Sequence, residues 1–321
     1  MLPQPSALAD ETAGDEHDIP EFNRDPAQAR IVTDDLERFW RAWDLGMADP
    51  DRRRSVFQRK YLDAGSPGLE AMLELRIGGV EQLLAAVDAH PEYYASLRPL
   101  MPRMRAVAEP VRDAMDKLHA LLPEAVFPDT YLVIGAMNTG GTIHFDGVLI
   151  GAEMYGMTRG TPIGELGDWH RAVIGAPEDL LTIIVHEMIH FQQLELTRAA
   201  PPATLLGLSI YEGAGDFVTE LLTGRNINEH VHEWAKPREK ELWAEFRDIM
   251  HEREYGDWLY GGASVNDRPA DLGYFIGYRI VESYYRQADD RQAAVFDILA
   301  MMEPERFLQD SGYEPLACPA K

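Results

Sequence analysis

The residues best suited to chemistry lie in Val185-His186-Glu187-Met188-Ile189-His190-Phe191. On a helix, His186 and His190 are four residues apart, so both imidazoles leave one face about a turn apart. Two neutral imidazoles at that spacing can hold one Zn2+, and Glu187, next to the first, can reach water activated at the metal. The flanks suit a buried helix. Pro177, Glu178 and Asp179 make an acidic start, and Leu180, Leu181, Ile183, Ile184, Val185, Met188, Ile189 and Phe191 make it apolar on most sides. Two histidines and a glutamate there are costly to bury without a partner, and a metal supplies one. An HExxH string arises by chance in roughly 3 of 100 chains of this length and His and Glu content, so the pattern needs a second segment.

That segment is Ser209 to Glu220. If it is helical, Glu212 and Asp216 share one face, one turn apart. A zinc hydrolase needs three protein ligands and an open position, and a carboxylate that fixes the tautomer of a ligating histidine. Glu212 suits the third ligand and Asp216 the partner of the first histidine. The set predicts one Zn2+ per chain on His186, His190 and Glu212. Two other readings compete: a non-catalytic peptide- or protein-binding module on the same scaffold, and a purely structural zinc site with four protein ligands. Glu187 favours the enzyme, because a structural site has no need of it.

His186-Glu187-x-x-His190 followed by Glu212-x-x-x-Asp216 resembles the gluzincin clan, the thermolysin-like zinc metallopeptidases. The details resemble a narrower group, the predicted zinc-dependent proteases related to a gliding-motility lipoprotein. Its members pair the HExxH helix with a Glu-Gly-x-x-Asp helix, an upstream Asn-x-Gly-Gly stretch (Asn138 to Gly141 here) and a late Gly-Tyr-x-x-Gly-Tyr (Gly273 to Tyr278). The resemblance spans residues 30 to 300 or so. It implies peptide-bond hydrolysis with Glu187 as general base, Asp216 orienting a histidine and a peptide or protein as substrate. It also implies that an edge strand near Gly140 and Gly141 binds the substrate by strand addition. Zinc peptidases need a donor for the oxyanion, and Tyr278 and Tyr274 are the candidates.

At 321 residues the chain can bury a large core, and its 45% apolar fraction is that of an ordinary globular protein. A net charge of -24 argues against nucleic acid and anionic membrane surfaces. Cys318 stands alone, so no intramolecular disulfide forms, and no Gly-x-Ser-x-Gly elbow appears. The first residues lack a signal-peptide pattern and no apolar run is long enough to span a membrane. The expectation is a cytoplasmic protein, with an exported form that has lost its leader as the alternative. Oligomeric state is not legible.

The pattern predicts an α+β fold, predominantly α-helical, with a small antiparallel sheet, the HExxH helix, the Glu-ligand helix and an N-terminal helical cap. It divides as a disordered acidic tail over 1–25, a helical subdomain over 26–125 and a zincin-like catalytic domain over 126–321. Helical periodicity starts near Ile31, with Trp40 and Trp43 as core. Pro91 is read as the end of the helix through Val87. Thr130–Gly135 and Gly147–Ala152 read as strands joined by a long glycine-rich connection. Within it, His144 reads as a surface-loop histidine. His17 in the tail, and His230 and His232 in Asn226–Lys236, read as solvated polar residues. Arg291–Met302 is the last clear helix.

Overall fold

The computed structural model describes residues 21–261 and 268–315. The acidic tail expected over 1–25 lies outside the described residues as far as residue 20, as do His17 and Cys318. Among the described residues the fold is predominantly helical with one small sheet. No helix among them is long and apolar enough to cross a membrane. The chain divides into two compact units, one of the described residues up to Asp116 with Val126–Met188, the other of Lys117–Ala125 with Ile189 onward. The boundaries after Asp116 and after Met188 fall inside helices, and the one after Ala125 falls in a loop.

In the first unit, helices α1 (Asp34–Ala48), α2 (Arg53–Phe57), α3 (Pro67–Met72), α4 (Val80–Ala89), α5 (Pro91–Leu97), α6 (Met101–Arg105) and the start of α7 (Ala108–Leu121) accompany a sheet. Pro91 does not end a helix. It opens α5, where its missing N–H costs nothing and its fixed φ suits the first turn. Phe39 centres an aromatic cluster, meeting Trp40, Phe57 and Tyr61 edge-on with centroids 5.2, 5.7 and 5.3 Å away. The buried Asp35 carboxylate accepts the Ser66 N–H and hydroxyl, and Ser66 in turn caps α3 through the Leu69 N–H.

The sheet runs β1 (Ile31–Val32), β2 (Thr130–Val133), β4 (Gly147–Gly151), β3 (Gly141–His144). β1 and β4 flank β2 in parallel, while β3 pairs antiparallel with β4, Thr142 opposite Leu149. The sheet is therefore mixed, and only its β3–β4 hairpin is antiparallel. The long connection expected between the two β-branched runs itself contributes β3. Buried tyrosines fix the start of that connection. Tyr61 donates to the Ile134 carbonyl at 2.6 Å and accepts the Ile134 N–H, and Tyr94 donates to the Gly135 carbonyl at 2.8 Å. A short helix, α8 (Asp168–Val173), interrupts the loop expected before the histidine helix α9 (Leu180–Thr197).

In the second unit the end of α9 is followed by α10 (Leu205–Thr223), α11 (Glu229–Ala235), α12 (Glu239–Ile249), α13 (Leu272–Gln287), α14 (Arg291–Leu299) and α15 (Pro304–Ser311). α15 lies beyond the last helix expected from sequence. α10 and α13 touch through glycines. A Cβ on Gly213 would fall 2.1 Å from Tyr278 N, and one on Gly277 would fall 1.6 Å from Ser209 O. Only residues without side chains permit backbones this close.

Candidate metal centre

α9 is entered through a turn at Pro177–Asp179, where Asp179 Oδ2 accepts the Ala176 N–H at 2.8 Å. Its apolar run keeps both histidines enclosed, His186 at 5% and His190 at 7% exposure. α10 opens on Thr204, whose hydroxyl accepts the Gly207 N–H at 3.1 Å, and stops at Gly224 with φ of +72°. Between these ends it carries Glu212, which is also buried.

One donor atom from each of His186, His190 and Glu212 lies within 4.8 Å of the others. Tetrahedral ligands of zinc stand roughly 3.4 Å apart, so a modest closure brings the three onto one ion. The environment of His190 shows why a cation fits. Gln193 Nε2 donates to the Tyr211 carbonyl at 3.0 Å, which turns Gln193 Oε1 toward His190 Nδ1 at 2.7 Å. Nδ1 then carries the hydrogen, and Nε2 directs a lone pair at Glu212 Oε2, 3.1 Å away. Two acceptors face each other at that distance only with a proton or a metal between them. Tyr211 stacks on the His190 ring at 4.4 Å and 5°, holding its plane.

Glu212 is held from its other side. The Tyr260 hydroxyl donates to Glu212 Oε1 at 2.9 Å. Burial, and then the Glu212 charge, keep that hydroxyl far above its ordinary pKa, so it stays a donor. Tyr260 sits at φ +59°, a left-handed conformation that costs a bulky residue about 1–2 kcal/mol. The turn is secured by the Gly261 N–H, which donates to Asp271 Oδ1 at 2.7 Å. Asp216, one turn beyond Glu212 and fully buried, accepts from Asn228 Nδ2 at 2.7 Å.

Glu187 is half-buried, and Gly141 at the start of β3 lies against it. A Cβ on Gly141 would meet Glu187 Cγ and Oε1 at 2.8 Å, and one on Gly140 would meet the Tyr155 hydroxyl at 2.6 Å. The glycines expected to admit a substrate backbone thus also make room for the glutamate and a buried tyrosine.

The two tyrosines proposed as oxyanion donors differ in surroundings. The Tyr278 hydroxyl donates to Glu220 Oε2 at 2.9 Å, so it is engaged away from the three donors. Tyr274 is enclosed, and burial followed by the Glu212 charge holds its hydroxyl far above the ordinary range. His144 ends β3 in a hairpin turn, with Nδ1 2.9 Å from Asp146 Oδ2. His230 is exposed, but His232 is not solvated. Its segment forms α11, and His232 packs edge-on against Phe275 and Tyr278. Burial pushes its pKa down to about 4 against the opposing charge of Asp216.

Sequence reasoning missed Gln193, Tyr211 and Tyr260. Gln193 carried a signal, standing three residues after His190 and so on its face of the helix. Tyr260 carried none, since a loop delivers it.

A protein family described as a predicted Zn-dependent protease matches residues 176–308, which include all three candidate ligands. No curated protein matches the chain. No solved structure matches it.

Proposed function

We propose that this chain is a zinc-dependent metallopeptidase of the gluzincin type, with one Zn2+ held by His186, His190 and Glu212. The observation that carries the reading is the buried group of two imidazoles and one carboxylate beside a half-buried Glu187. The matched family's description supports the same chemistry. Zinc held there supplies Lewis acidity, acidifying water and polarising a carbonyl. Glu187 is the general base: its carboxylate takes the proton of the attacking water and later delivers it to the leaving amine nitrogen. Gln193 keeps the hydrogen of His190 on Nδ1, and Tyr260 steadies Glu212 through Oε1. Asp216 orients His186. A peptide pairs with the outer edge of β3, where Gly140 and Gly141 admit its backbone next to Glu187.

Replacing Glu187 by Gln tests the assignment. The variant should keep about one zinc per chain and lose peptide hydrolysis by about 100-fold or more. Wild-type turnover in a zinc-loaded Glu187→Gln protein rejects the role.

A further inference from the structure

β3 is the outer strand of the sheet, so among the described residues one of its edges has no strand neighbour. A cation stands beside this strand. Arg76, in the helical turn Leu73–Ile77, donates from Nη2 to Thr142 Oγ1 at 3.3 Å, while its enclosed Nε meets no acceptor among the described residues. Asn138 Nδ2 donates to the Arg76 carbonyl at 2.6 Å, tying the same turn to the glycine-rich connection. Burial lowers the Arg76 pKa and the Glu187 charge raises it, so the two groups are close enough to interact. Adjacent positions of one strand therefore meet the glutamate, at Gly141, and the arginine, at Thr142.

Those positions set a register for any peptide paired to the open edge. Cross-strand neighbours point to the same face, so the peptide residue opposite Thr142 projects toward the side occupied by Arg76. Its neighbour along the peptide lies opposite Gly141, against Glu187. A guanidinium with spare donors is suited to a planar carboxylate. The net charge of -24 repels acidic peptides at long range, so a preference for them must come from a local contact inside the screening length of about 8 Å.

We propose that Arg76 is a specificity-determining residue that binds a carboxylate of the substrate, a free C-terminus or an Asp or Glu side chain, one or two residues from the scissile bond. This rests on the peptidase reading above. The test offers a library of short peptides to zinc-loaded wild type and Arg76→Gln. Each sequence is supplied as free acid and as amide, and with Asp and Glu exchanged for Asn and Gln. The same peptides are titrated against Glu187→Gln, which reads binding without turnover.

Wild type should favour the carboxylate forms by about 10- to 100-fold, mainly in KM. Arg76→Gln should abolish the preference, bringing the carboxylate and neutral forms of each peptide to the same KM. Arg76→Lys should retain part of it, and Thr142→Val, which frees the guanidinium from its anchor, should weaken it. Loss against free acids alone marks a C-terminal carboxylate, and loss against Asp and Glu peptides marks a side chain. A wild type indifferent to carboxylates, or an Arg76→Gln protein impaired equally on every peptide, overturns the proposal. Should nothing be cleaved while binding still shows an Arg76-dependent preference, the peptidase reading falls and the carboxylate site stands.

Discussion

Replacing Gly277 by Ala drives a methyl group into the backbone of α10. The new Cβ would lie 1.6 Å from Ser209 O and 2.3 Å from Ser209 C, less than half and about two-thirds of the 3.4 Å at which ordinary contact begins. The obstructing atoms are main chain, so no side chain can swing aside, and the helices must part by roughly 2 Å. Overpacking of this kind costs about 1–3 kcal/mol. At about 2–4 °C per kcal/mol, Tm should fall by roughly 2–12 °C. Glu212 precedes Gly213, which itself lies 2.1 Å from Tyr278 N by the same measure, so the ligand moves with the displaced backbone. Metal-ligand distances tolerate about 0.2 Å, and zinc affinity should drop at least about tenfold. Thermal unfolding with and without zinc reads both effects, because the stabilisation by zinc shrinks as its affinity falls. Gly160, with nothing within 4 Å of an added Cβ, is the control for Gly→Ala. A Gly277→Ala protein with wild-type Tm and an undiminished response to zinc refutes the helix contact as the seat of Glu212.

Two further outcomes follow from buried polar groups. Gln193→Leu removes the acceptor on His190 Nδ1, so zinc affinity measured by chelator competition should weaken about 10- to 100-fold. Unchanged affinity contradicts the tautomer argument. Glu153 accepts the Gly135 and Met137 N–H groups at 2.8 and 3.1 Å, yet burial outweighs them and pushes its carboxyl from 4.5 up to about 7. A carboxyl raised on folding contributes stability that is complete below 4.5 and is lost as pH climbs through about 7, on the order of 3 kcal/mol in all. Thermal unfolding from about pH 5 to about pH 8 should show that decline in wild type and a flatter profile in Glu153→Gln. Parallel profiles remove Glu153 as its source.

The candidate ligands were legible because their geometry is local. Four-residue spacing on one helix determines how His186 and His190 project, whatever surrounds them, and Glu212 and Asp216 share a face for the same reason. The sheet was half legible. β2 and β4 are β-branched runs, whereas β1 has two residues and β3 is a Gly-Thr-Ile-His stretch made a strand by pairing with β4. His232 looked solvated because a short polar stretch hides that its inward face packs on α13 aromatics. Tyr260 reaches Glu212 from 48 residues away, through a turn in an unusual backbone conformation. Pairing partners and tertiary approach decide such features, and no spacing rule encodes them. α15 was missed as a short, charged helix, although its Phe307 stacks on Tyr284 at 4.6 Å.

The most direct measurement is a crystal structure of the purified protein with diffraction recorded across the zinc absorption edge. One anomalous peak per chain is expected, bound by a nitrogen of His186, a nitrogen of His190 and an oxygen of Glu212, with no fourth side chain. A peak elsewhere, a fourth protein ligand, or Glu212 turned away from the ion contradicts it.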